Sequence, residues 1–197
     1  MARSLAAAMA VIIVAVAAFW SATEGFRVFT TEGARRLDVA RSPRPLPAVV
    51  LEDQDGRRVG PEWLRGRVVL VEFVYTRCPT LCSTLGEVFG RLSQALPGVA
   101  LLSISFDMEH DGRAELKDYA LRHGADGDRW RVVRPTSGGD LRELLDTAGV
   151  VVIPDSWGGY QHNAAVHLVD DRGRLVRVLD FEPLSALIDE VTPWLAS

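Results

Sequence analysis

The chain has 197 residues, 48% hydrophobic and 24% charged, which suits one globular domain plus an additional segment. A formal net charge of −4, with scattered arginines and Lys117 as the only lysine, argues against the clustered basic face of a nucleic-acid binder. The two cysteines, Cys78 and Cys82, permit one disulfide and exclude a self-contained four-cysteine zinc site.

At the N-terminus, Arg3 precedes an uncharged apolar run from Leu5 to Trp20, and no charge follows until Glu24. Extended to Ala22, the run approaches the roughly 20 residues that span a bilayer, and Trp20 suits an interfacial aromatic anchor. The rival is a cleaved signal peptide, but no clean small-x-small site follows the run. The expectation is an anchor or signal segment over residues 1–23, a linker over 24–44 and a domain over 45–197. The domain would lie outside the cytoplasm, in an oxidising compartment where free cysteines need a reason. The linker lacks sustained periodicity and carries Gly25, Gly33, Arg35 and Arg36; Pro43, Pro45 and Pro47 then mark an extended entry to the domain.

Within the domain, Ala48–Leu51 reads as a short strand, Glu52–Gly56 as a turn and Arg58-Val59 as its return. Val68–Val74 is too rich in β-branched residues for a comfortable helix and predicts a buried strand. Leu81, Leu85, Val88, Phe89 and Leu92 form a helical stripe. Pro97-Gly98 interrupts, and Val99–Phe106 is another apolar strand, ending at Asp107. The pattern continues with a helix over Ala114–His123, a strand at Trp130–Val133 and a helix over Asp140–Ala148. A loop, Pro154–Gly159, precedes a strand at Ala164–Val169. A turn at Asp171–Gly173 leads to a partner strand at Leu175–Leu179, and a closing helix begins at Pro183. Strands alternating with helices, then a hairpin and a helix, predict an α/β domain with a mixed sheet flanked by helices. Cysteines at the first strand-to-helix switch point to the thioredoxin-like arrangement.

Chemistry concentrates in Tyr75–Leu85, which holds both cysteines as C-x-x-x-C. If both lie in the first helical turn, a spacing of four puts the sulfurs on one face. The positive helix N-terminus should then favour the Cys78 thiolate. A structural disulfide here would close too short a loop to stabilise much. Dithiol redox chemistry and metal binding both remain open, and the longer spacing relative to C-x-x-C suits chelation of one ion. Two thiolates want a third ligand. His110 and His123 read as solvated surface histidines. His162 and His167 are separated by an odd number, so on one strand they face opposite sides. His167 stands inside an apolar run as a core histidine, whereas His162 follows a loop able to carry it over another strand's end. Asp107 reads equally as an outer ligand or a helix-cap aspartate.

The segment Val68-Val-Leu-Val-Glu-Phe-Val-Tyr-Thr-Arg-Cys-Pro-Thr-Leu-Cys82 resembles the cysteine segment of the Sco/SenC family of copper proteins. Leu51–Val59 and Leu64–Arg67 resemble that family's opening hairpin and its approach to the strand. Ser103–Asp107 resembles the next strand, and His162–Leu175 the segment that opens with the copper-binding histidine. This chain has Ser83 where the family often has proline, Met108-Glu-His-Asp111 in place of an acidic-arginine run, and Asn163 where serine or threonine is usual. The resemblance implies a membrane-anchored, thioredoxin-fold copper chaperone that assists assembly of the dinuclear copper centre of cytochrome c oxidase. It also implies Cys78, Cys82 and His162 as ligands of Cu(I) or Cu(II), the oxidase copper-site subunit or another copper client as partner, and His167 at an apolar position. Soft thiolates suit Cu(I), and an imidazole admits Cu(II) as well. The rival functions are a thiol–disulfide oxidoreductase acting through Cys78 and Cys82 on a client's copper-ligand cysteines, and a peroxiredoxin-like peroxidase using Cys78.

Overall fold

The structure, a computed structural model, describes residues 2–25, 28–78 and 81–195. Pro79 and Thr80, between the two cysteines, lie outside the described residues. The first element is helix α1 (Ala2–Ala22). Its apolar side chains are exposed all round, including the consecutive Val11, Ile12, Ile13 and Val14. Among the described residues no helix is long and apolar enough to cross a membrane; in α1 the described side chains begin only at Leu5.

The segment expected to be a structureless linker contains an 11-residue helix, α2 (Thr31–Arg41), capped by the Thr30 hydroxyl, which accepts from the Gly33 amide. Its apolar signal is weak, because a single residue, Val39, is buried, against Ala165, Leu175 and Val178. Tertiary contact supplies what periodicity does not.

The domain is built on an eight-stranded mixed sheet. In chain order the strands are β1 (Arg44–Pro45), β2 (Leu51–Asp53), β3 (Arg58–Val59), β4 (Val69–Val74), β5 (Ala100–Ser105), β6 (Trp130–Pro135), then, after the ribbon β7 (Val152–Pro154) and β8 (Tyr160–His162), β9 (Val166–Val169) and β10 (Arg174–Leu179). The sheet order is β1-β10-β9-β4-β5-β6-β2-β3, and β7 and β8 pair only with each other. β4, β5 and β6 are parallel, while β9 and β10 run antiparallel to their neighbours. Every residue of β4 and β5 is buried, as the unbroken apolar runs predict.

The remaining helices are α3 (Leu81–Ala95), α4 (Arg113–His123), α5 (Gly138–Ala148) and α6 (Leu184–Val191). The period of two in the strands divides the core. Leu70, Leu101, Trp130 and Leu168 pack with Leu85, Phe89 and Leu92 of α3 and Leu187 of α6. Val69, Val71, Phe73, Leu102 and Ile104 belong to a second cluster with Leu144 and Ala148 of α5. Three parallel strands feeding helices on both faces, completed by antiparallel strands, are the expected thioredoxin-like layout.

One core residue breaks the apolar rule. Glu72 of β4 is fully buried; one oxygen of its carboxyl accepts from Ser103 and from the Tyr119 hydroxyl, and the other has no partner. Burial outweighs those bonds and pushes the carboxyl up to about 8. The folded chain therefore keeps a proton that the unfolded chain releases above about pH 4.5, so this residue lowers stability as pH rises from 4.5 to 8. In urea unfolding across that window, Glu72→Gln should gain on the parent by up to about 1.4 kcal/mol per pH unit; parallel pH profiles would contradict the assignment.

Candidate metal centre

β4 delivers the chain to the cysteines through a turn held by a buried carboxylate. Asp111 accepts from the Thr76 amide (2.9 Å), from the Thr76 hydroxyl (2.6 Å) and from the Ser105 hydroxyl. Because Thr76 follows β4 and Ser105 ends β5, one fully buried aspartate locks two adjacent strand ends. The Cys78 amide donates to the Tyr75 carbonyl at 3.2 Å, completing the turn.

Among the described residues α3 begins at Leu81, so Cys82 lies within it and Cys78 precedes it. The sulfurs are nonetheless brought to one place, because the Cys82 amide donates to Cys78 Sγ at 3.4 Å. An amide at the start of a helix aimed at a sulfur is the local arrangement that favours thiolate. The two cysteines are not joined in a disulfide; Cys78 is half-buried and Cys82 is 1% exposed. Burial pushes the Cys82 thiol far above its ordinary range.

His162 arrives from the ribbon. The loop read at Pro154–Gly159 is the tip of a two-stranded ribbon, β7–β8, in which Val152 opposes His162 and Pro154 opposes Tyr160. His162 Nε2 stands 3.8 Å from Cys82 Sγ, with the imidazole edge-on to Phe106 at 5.1 Å. Its Nδ1 is buried and has no hydrogen-bond partner among the described residues. Burial lowers this imidazole to about 4, so it is neutral and a competent ligand at neutral pH. An ion ~2.3 Å from a thiolate and ~2.0–2.1 Å from an imidazole, the lengths zinc takes, separates those donors by about 3.7–3.8 Å at an angle near 120°. The pair therefore fits a bridging soft or borderline ion without rearrangement of these two donors. Among the described residues, however, no three His, Cys, Asp or Glu side chains stand grouped as a complete metal cluster.

Aromatic side chains wall this pair. Tyr75 and Tyr160 meet edge to face at 5.2 Å, Phe106 lies 5.5 Å from both rings, and the Tyr75 hydroxyl donates to the Tyr160 carbonyl at 3.4 Å. Sequence reasoning overlooked these three residues. Their signal is positional: each stands at a strand terminus, Tyr75 just past β4, Phe106 just past β5 and Tyr160 opening β8.

The other candidates settle differently. Asp107 receives Arg77 (2.8 Å), the His110 amide and the His110 ring, and the Tyr160 hydroxyl at 3.5 Å. Burial works to raise its carboxyl, but these donors prevail and hold it below the usual range. Asp107 is thus committed to a cap and an ion pair, and reaches the site only through Tyr160. His110 is exposed, as expected. His123 is not a solvated surface residue: it packs on Tyr119 at 4.4 Å and against Gly86, with Nε2 buried and unpaired. His167 is a core histidine at 2% exposure, lowered to about 3 chiefly by burial, with Nδ1 3.3 Å from the Val71 carbonyl.

An α/β domain with a cysteine pair at its first strand-to-helix switch, and a histidine brought beside the inner sulfur by a separate ribbon, defines a thioredoxin-like thiol or metal-site protein. The SCO1/SenC family model matches residues 47–195, and the chain belongs to that family. A SCO1 protein homolog from Bacillus subtilis (strain 168) is 27% identical over 132 residues, covering 64% of this chain and 68% of the relative. Among solved structures, a SCO1/SenC family lipoprotein from Bacillus anthracis (Ames) superposes with a TM-score of 0.71 at 22% identity, covering 78% of this chain and 98% of that one. BsSco, described as a member of the Sco family of cytochrome c oxidase assembly proteins with a disulfide switch, gives 0.66 at 23% identity, covering 78% and 94%. Copper-bound ScoI from Bradyrhizobium japonicum gives 0.61 at 23% identity, covering 78% and 98%.

Two measurements check this geometry. Asp111→Ala leaves the buried Thr76 amide without its acceptor and should cost about 3 kcal/mol in urea unfolding, whereas an effect under about 1 kcal/mol would mean the strand ends are held otherwise. In the metal-free chain, the His162 ring should titrate by NMR near 4 instead of 6.5. Its folded value is depressed, so its contribution to stability falls as pH drops from 6.5 toward 4; a midpoint near 6.5 would show the ring to be solvated.

Proposed function

We propose that this protein is a membrane-tethered copper chaperone that assists assembly of the copper centre of cytochrome c oxidase, holding its cargo ion with Cys78, Cys82 and His162. The observation that carries the reading is the 3.8 Å approach of His162 Nε2 to Cys82 Sγ inside an aromatic wall, with Cys78 Sγ held at the Cys82 amide. Two thiolates suit Cu(I), and the imidazole extends the site to Cu(II), so one set of donors serves both states. Cys78, the more exposed sulfur, is the natural point of entry and departure for the ion. The copper-bound ScoI and the oxidase-assembly description of BsSco support the same reading.

Tethering is proposed on the 21-residue α1, whose described apolar side chains are exposed. A helix apolar all round belongs in lipid or a protein core. The lipoprotein relative from Bacillus anthracis supports membrane association in the family. In this reading residues 1–23 anchor the chain, 24–44 connect, and 45–197 bind copper on the extracytoplasmic side of the cell membrane.

A second reading, thiol–disulfide oxidoreduction, is favoured by two cysteines that are in the reduced form, with the Cys82 amide at Cys78 Sγ. Oxidation of Cys78 and Cys82 to a disulfide releases two electrons and two protons, enough to reduce one disulfide between a client's copper-ligand cysteines. An anaerobic titration separates the two. The parent should bind one equivalent of copper, His162→Ala should lose Cu(II) binding, and Cys78→Ser/Cys82→Ser should lose both oxidation states. Tight stoichiometric Cu(I) binding by the double variant would sink the chaperone reading; unchanged Cu(II) binding by His162→Ala would leave the oxidoreductase as the better account.

A further inference from the structure

The helix α2 does more than connect. It lies outside the stretch matched by the family model, which begins at residue 47. It docks on the sheet through Val39 and through the side chain of Arg35, which is only 10% exposed. Arg35 is doubly bonded to Glu32 of its own helix, at 2.7 and 2.9 Å. Its Nη1 donates to the Ala148 carbonyl at 2.7 Å and meets His167 Nε2 at 3.2 Å. Since the Val71 carbonyl can only accept, the His167 proton sits on Nδ1 and Nε2 is the acceptor for Arg35.

Ala148 is the last residue of α5, and Gly149, its cap at φ 65°, lies so close to Arg35 that an added Cβ would stand 2.6 Å from Cδ. The final carbonyls of a helix have no partner within it and carry negative partial charge. Here the Arg35 guanidinium takes one and the Asn163 amide takes the next: Asn163 Nδ2 donates to the Gly149 carbonyl at 3.0 Å. Asn163 Oδ1 in turn accepts the Val151 amide at 2.7 Å, and its Nδ2 reaches Glu32 at 3.5 Å. Val151 leads into β7, whose Val152 opposes His162, and Asn163 is the residue that follows His162. Both strands of the ribbon that presents His162 are thus fastened at their base to the end of α5, and α2 clamps that end.

We propose that α2 is a working part of the metal centre, with Arg35 and Asn163 as positioning residues that hold His162 beside Cys82. This rests on the copper reading above. The helix that follows the anchor is then coupled to the ligand most responsible for Cu(II), so the centre is complete only with residues upstream of the family domain in place.

The test uses the full-length chain in detergent, as the parent and as Arg35→Ala, Arg35→Lys, Asn163→Ala and, as a control on the exposed face of α5, Arg142→Ala. In the metal-free protein, amide exchange over residues 150–163 should accelerate about tenfold in Arg35→Ala and Asn163→Ala, while amides of β4 and β5 keep parental protection. With copper, Cu(II) affinity should fall about tenfold or more, well beyond any fall in Cu(I) affinity, with a shifted thiolate-to-Cu(II) absorption band. Arg35→Lys, which keeps a cation at the helix end, should recover part of the loss, and Arg142→Ala should match the parent. Parental exchange in the ribbon together with a parental Cu(II) spectrum in both alanine variants would overturn the proposal while leaving the copper reading intact. Equal loss of protection in ribbon and central strands would also overturn it, by showing the contacts to be general scaffolding. Should the parent itself bind no copper, the functional reading fails; accelerated exchange confined to the ribbon would still establish the mechanical coupling to His162.

Discussion

His162 Nε2 and Cys82 Sγ meet at 3.8 Å although they stand 80 positions apart in the chain, and neither group is comfortable there. The imidazole gives up water without gaining a partner at Nδ1, and the thiol is buried where ionisation is strongly disfavoured. Holding two such groups together in the absence of an ion needs support from outside the pair. Much of the domain's polar framework supplies that support: Asp111 ties the ends of β4 and β5, and Arg35 and Asn163 brace the base of the ribbon.

The same constraint explains why the site is polar in its readiness and apolar in its surroundings. In the proposed copper reading, a neutral imidazole and a half-buried thiol would bind a soft ion with release of thiol protons, so affinity would rise with pH and fall with acid. Depression of His162 to about 4 removes it from that competition across the neutral range, leaving the cysteines as the groups that proton activity governs. An α/β sheet with two strand ends pinned by a carboxylate gives the cysteine segment its base, while a separate two-stranded ribbon carries the histidine. One side of the centre is built on the core and the other on an outlying hairpin.

Local pattern determined a great deal by itself. Unbroken β-branched runs can only be buried strands, and the stripe Leu85, Val88, Phe89, Leu92 can only bury as a helix, so the strand-to-helix switch at the cysteines was legible together with the thioredoxin-like class. The odd spacing of His162 and His167 argued only against their binding one ion together; the family resemblance, not the spacing, pointed to His162. What pattern could not supply were features made by contacts distant in sequence. The α2 helix buries a single apolar residue and has no stripe to detect; it forms because Arg35 and Val39 find partners more than a hundred residues away. His123 has the polar neighbours of a surface residue, and only the approach of α3 at Gly86 covers it. The ribbon is too short to announce itself by period, and Tyr75, Phe106 and Tyr160 are three scattered aromatics until the strand ends converge. Sequence determined which chemistry the chain carries; tertiary structure decided which residues surround it, because burial and long-range hydrogen bonds are properties of the assembled sheet and are absent from any local window.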